Sequence, residues 1–114
     1  SLFENVDMQL VNKVYVFDID GTICTNTNGE YEEAEPFAKM IRKINKLYEN
    51  NEIIMMTARG ATSGIDWSEF TEKQLNSWGL KYHRLIMNQK PYGDVYVDDK
   101  AINANAFMLL LGEE

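Results

Sequence analysis

The chain has 114 residues, enough for one domain around one modest core, and 45% of them are apolar, too many for a disordered chain. A net charge of −7 argues against nucleic acid or an anionic membrane surface as the main partner. No apolar run reaches the roughly 18–20 residues that a membrane span needs, and no signal-peptide pattern appears.

The single cysteine, Cys24, cannot form an internal disulfide, so a reducing, cytoplasmic location is the expectation. One domain spanning 1–114 is expected. In so acidic a chain an anionic substrate would need a local positive site, most simply a bound divalent cation.

Residues 1–12 carry a weak pattern, in which Leu10 and Val11 either start the first strand early or close a short helical turn. Val14-Tyr-Val-Phe17 is β-branched and aromatic throughout, which predicts a strand covered on both faces. It runs directly into Asp18-Ile-Asp20-Gly21-Thr22, so two carboxylates stand where the strand leaves the sheet. Ligands of open parallel α/β sheets bind at such carboxyl ends. Two acids held together are unfavourable unless a cation or a proton is shared between them. Alone, the same motif is also compatible with an Asp-rich turn in which Gly21 supplies a positive φ.

The turn formers from Ile23 to Ala34 predict a loop or small hairpin next to the two acids, able to cover them. Cys24 has no activating partner nearby in sequence, which counts against a catalytic thiol. Pro36 is expected to open a helix whose buried face carries Phe37, Met40, Ile41, Ile44, Leu47 and Tyr48, ended by Asn50-Asn51. Glu52 to Thr57 predicts a second buried strand, and it ends in Thr57-Ala58-Arg59-Gly60. A hydroxyl, free backbone N–H groups and an arginine suit a phosphate oxygen; a turn cap for Thr57 and a surface ion pair for Arg59 are the plainer readings.

Asp66 and Glu69 form a capping-box pattern, with Asp in the Ser/Thr role. Trp67, Phe70, Thr71, Gln74, Leu75 and Trp78 follow at helical spacing, and Gly79 stops the helix. Tyr82 to Met87 predicts a third strand, with the lone His83 at its start and therefore at the end away from the site. In the following loop Lys90 is held extended by Pro91. Asp94 to Val97 is a fourth short strand ending in Asp98-Asp99-Lys100, and 101–111 predicts a closing helix buried through Ile102, Ala106, Leu109 and Leu110. Together these elements predict a doubly wound α/β domain with a mostly parallel sheet and helices on both faces.

Four strand-to-loop junctions thus carry, in order, D-x-D-G-T, T-A-R, K-P and D-D. In that order the chain resembles the haloacid dehalogenase (HAD) superfamily, chiefly its magnesium-dependent phosphatases, over about residues 14–105. The resemblance implies a Rossmann-like fold, Mg²⁺ as cofactor and hydrolysis of a phosphomonoester. It implies Asp18 as the nucleophile that becomes an aspartyl phosphate, and Asp20 as general acid and then base, with its backbone carbonyl on the metal. It implies Thr57 and the Ala58 N–H on the phosphoryl oxygens, Lys90 neutralising the nucleophile and the transferring group, and Asp98 and Asp99 anchoring the metal with Asp18. A substrate-binding role for Arg59 is inferred beside that pattern.

Only about thirteen residues separate Thr22 from Pro36, and one helix and one strand separate Arg59 from Lys90, so no cap domain is expected. An open site suits either a large substrate or a small one, such as a sugar phosphate, covered by a neighbouring copy in a homo-oligomer. The size and the T-A-R-G and D-D-K-A phrases are also similar to small phosphatases of bacterial surface-polysaccharide synthesis. Two other readings stand beside this one. A phosphoacceptor receiver domain has its acidic pair after the first strand, the opposite of the order here. A catalytically silent HAD-like binding module would not require every catalytic position to be filled, as they are here.

Overall fold

The computed structural model describes residues 11–100. Four strands, β1 (Val14–Asp18), β2 (Glu52–Thr57), β3 (Arg84–Met87) and β4 (Val95–Val97), form one parallel sheet in the order β3-β2-β1-β4. Helices α1 (Ala38–Leu47) and α2 (Ser68–Ser77) connect β1 to β2 and β2 to β3. The expected parallel α/β architecture is what forms. No described helix is long and apolar enough to cross a membrane. The closing helix expected over 101–111 and the pattern over 1–10 lie outside the described residues.

Strand alternation decides which side chains meet the helices. Tyr15, Phe17, Ile53 and Met55 share one core cluster with Ile41 and Ile44 of α1 and Leu75 of α2. Val16 and Ile54 are just as buried but point to the opposite face. That face is crossed by the chain between β3 and β4, where Gly93 lies so close to Val16 that a Cβ would overlap its side chain. The buried stripe of α1 is the predicted one, except that Phe37 stays largely exposed.

Some predicted boundaries move, each for a local reason. Pro36 does not open α1: it pairs with Cys24 in an isolated antiparallel bridge, and the Phe37 N–H donates to the Ile23 carbonyl at 2.8 Å. The backbone is therefore still extended at Phe37, and α1 starts at Ala38. Thr25 and Glu35 add a second rung at 2.9 Å, so residues 23–37 form a closed loop whose tip is a 3-10 turn, Tyr31–Glu33. The capping box does not form: α2 is capped at Trp67 with no side-chain cap bond, and Asp66 Oδ1 closes a turn before it, accepting from the N–H of Ser68 at 2.9 Å and from its hydroxyl at 2.6 Å. Glu69 pairs instead with Lys73 on the exposed face.

The third strand starts at Arg84 rather than Tyr82 because His83 closes the sheet edge itself. Its N–H donates to the Ile53 carbonyl, and its Nδ1 accepts from the Ile53 N–H at 2.9 Å. At the same end of the sheet Asp94 Oδ2 accepts from the Val14 N–H at 2.6 Å.

Candidate functional site

Because every strand runs the same way, all four carboxyl ends open on one edge. There Asp18 ends β1, Thr57 ends β2, and Asp98 and Asp99 follow β4 directly. A cavity of about 460 Å³ is lined by Asp18, Asp20, Thr57, Ala58, Asp98 and Asp99, with Tyr31 and Lys100 on its walls. A second hollow of about 450 Å³ shares Asp18, Thr57, Ala58 and Asp98 and adds Lys90. The loop 23–37 contributes Asn26, Asn28, Gly29 and Tyr31 to the first cavity, so it does flank the acids as its position in the chain implied.

Three carboxylates, those of Asp18, Asp98 and Asp99, each offer an oxygen within 4.8 Å of the other two. Burial pushes the Asp18 carboxyl up to about 6, the Asp98 charge adds to that, and a hydrogen bond from the Ile19 backbone opposes it. The rise is the electrostatic consequence of gathering like charges in a half-buried pocket. An all-oxygen anionic set is what a hard divalent cation prefers, so the residues fit Mg²⁺. Gly21, at φ +89°, packs directly against the Asp99 carboxylate, and a Cβ there would overlap it. Asp98 Oδ1 also accepts from the Lys100 N–H at 2.8 Å, which fixes the turn after β4.

The metal contact expected of Asp20 is through its backbone carbonyl, and its carboxylate does not join that cluster. Both its oxygens are gripped by Arg59, with Nε to Oδ2 at 3.0 Å and a terminal nitrogen to Oδ1 at 2.9 Å. The other terminal nitrogen of Arg59 donates to Thr71 Oγ1 at 3.2 Å and Gln74 Oε1 at 2.8 Å. The guanidinium also stands 4.5 Å from the centre of the Tyr31 ring. Its side chain is fully buried. Arg59 lines the same cavity, but its side chain is turned to Asp20 and α2, so the bonds it makes are to the protein itself, where a direct hold on substrate was expected. Sequence gave no hint of this, because Asp20, Tyr31 and Gln74 lie in three separate segments.

Thr57 is buried and its hydroxyl oxygen accepts from the Arg59 N–H at 3.1 Å, the turn-cap bond. Accepting leaves its own O–H proton available to an oxygen in the cavity. Ala58 is exposed at the rim beside it. Lys90 is not held against Asp18: among the described residues no hydrogen bond or ion pair joins them. Its ammonium stands 4.7 Å from the centre of the Tyr96 ring, on the wall of the second hollow. Cys24 is buried, its Sγ 3.7 Å from Asp20 Oδ1, and burial followed by the Asp20 charge pushes its thiol up to about 12. A protonated thiol is no nucleophile. Lys100, which shares the cavity with the acids, was not singled out from the sequence, although it directly follows the acidic pair.

No family model matches the chain, and no curated protein matches it. A crystal structure of an MCSG target from Vibrio cholerae is similar, with a TM-score of 0.63 and 22% sequence identity over 83% of this chain and 86% of that one. At that identity the likeness supports the fold and leaves the chemistry to the site itself.

Proposed function

We propose that the protein is a Mg²⁺-dependent phosphomonoester hydrolase working through Asp18, as the order of its motifs, which resembles the HAD phosphatases, implies. The observation that carries this reading is the convergence of Asp18, Asp98 and Asp99 with Thr57 and Ala58 around one cavity at the carboxyl ends of parallel strands. Asp18, Asp98 and Asp99, with the Asp20 backbone carbonyl, would hold Mg²⁺. The bound ion would neutralise phosphoryl oxygens and keep Asp18 ionised.

An Asp18 oxygen then attacks phosphorus and the bond to the leaving oxygen breaks, giving an aspartyl phosphate and an alcohol that takes its proton from Asp20, which enters the cycle in its acid form and is left as the carboxylate paired with Arg59. In the second half Asp20 accepts a proton from water as the water oxygen attacks phosphorus. Inorganic phosphate leaves and the Asp18 carboxylate is restored. Thr57 and Ala58 orient the phosphoryl oxygens, and Lys90, on the wall of the second hollow that Asp18 also lines, adds positive charge. The cavity has room for a small phosphorylated metabolite, and its polar lining of Asn26, Asn28 and Lys100 suits a hydroxyl-rich one such as a sugar phosphate.

The test is phosphate release from sugar phosphates, nucleotides, amino-alcohol phosphates and phosphopeptides, with Mg²⁺ and with chelator, for wild type and Asp18→Asn. Release that needs the metal and vanishes in the variant is the expected result. Equal rates in the variant overturn the mechanism.

A further inference from the structure

We infer that Arg59 is a positioning residue for Asp20, and that Gln74 of α2 carries its placement to the loop over the cavity. The inference rests on the phosphatase reading above and adds residues to it. Four features fix the guanidinium. It grips both Asp20 oxygens, it is bonded from α2 by Thr71 and Gln74, it lies under the Tyr31 ring, and it is fully buried. A planar fork meeting both oxygens of a carboxylate fixes its direction as well as its distance, which a lysine cannot do.

Gln74 then faces both ways. Its Oε1 accepts from Arg59 at 2.8 Å, while its Nε2 donates to the Tyr31 carbonyl at 2.7 Å. One unbroken chain of hydrogen bonds therefore runs from the 23–37 loop through α2 and Arg59 to Asp20. Asp20 is also the group that the proposed reaction needs for proton transfer to the leaving oxygen. In this chain its carboxylate is aimed from outside the metal cluster, with Tyr31, a cavity-wall residue, in the same assembly. Small displacements of a proton-transfer group carry large rate costs, so the supports of Asp20 belong to the reaction as well as to the fold.

The experiment compares kcat/KM for an alkyl phosphate and for p-nitrophenyl phosphate, with Mg²⁺, in wild type, Arg59→Lys and Gln74→Ala. An alkoxide needs a proton to leave, whereas p-nitrophenolate does not, and kcat/KM reports the steps up to its departure. The expected result is a loss of at least tenfold on the alkyl ester with less than threefold on the aryl ester, larger for Arg59→Lys than for Gln74→Ala. Equal losses on both esters, or none on either, overturn the inference and make the network structural only. If Arg59→Lys does not fold, Gln74→Ala, whose side chain is only partly buried, decides by the same split. If the wild type releases phosphate from neither ester, the phosphatase reading itself fails, and this inference with it.

Discussion

Asp18 and Asp20 are two residues apart and opposite in their energetics. Asp18 faces two other carboxylates, and its proton affinity is raised to about 6; Asp20 is neutralised by a buried arginine. In metal-free protein above pH 6, Asp18→Asn is therefore expected to raise the melting temperature, because it removes one of three repelling charges, while it abolishes turnover. Asp20→Asn is expected to lower the melting temperature, since it leaves Arg59 buried without its counter-charge, a loss on the order of 3 kcal/mol. Paired thermal melts in chelator check both signs, and a fall for both variants would contradict the charge assignment. Gly21→Ala acts on a neighbouring residue. It forces a side chain into a positive φ, at about 1–2 kcal/mol, and displaces the Asp99 carboxylate, so Mg²⁺ affinity measured by calorimetry should drop at least tenfold. Cys24, buried and with its thiol held protonated, should resist iodoacetamide at pH 8 until the chain is unfolded.

At the scale of elements, α1 is tied to the connection between α2 and β3 by one side chain. Asn45 of α1 donates from Nδ2 to the Gly79 carbonyl at 2.9 Å, and its Oδ1 accepts from the Lys81 N–H at 2.7 Å. Asn45→Ala should cost about 1–2 kcal/mol in urea unfolding, with turnover unchanged. The strands were legible because each is a short β-branched or apolar run that changes abruptly to acids, threonine or loop formers. β2 falls on the predicted residues, and β1 differs only by including Asp18. The start of α1 was not legible, because Pro36 suits a first helical turn and only its pairing with Cys24, twelve residues earlier, keeps the chain extended. Asp18, Asp98 and Asp99 were legible as a group, since parallel strands bring their ends together wherever they lie in the chain. The role of Arg59 was not, because it depends on Asp20, 39 residues away, and on which face of α2 turns inward.

For the molecule as a whole, the crowding of acids links stability to pH and to metal. The folded state binds a proton on Asp18 more tightly than the unfolded chain does. In metal-free protein the contribution of Asp18 is therefore most favourable at low pH and is lost as pH rises from its ordinary range through about 6. Mg²⁺ bound as proposed would compete with that proton, so the rise in melting temperature on adding the ion should be larger at pH 7 than at pH 5. A shift independent of pH would place the ion elsewhere. The pairing of β1 with β4 has a further consequence, in time rather than in space. Asp94 meets Val14 across 80 positions of sequence, so β4 docks beside the first strand only after that whole interval has been synthesised. During translation Asp18 is thus made well before the two acids that join it, Asp98 and Asp99. The cluster of three carboxylates therefore cannot assemble in the nascent chain until the fourth strand has emerged to pair with the first.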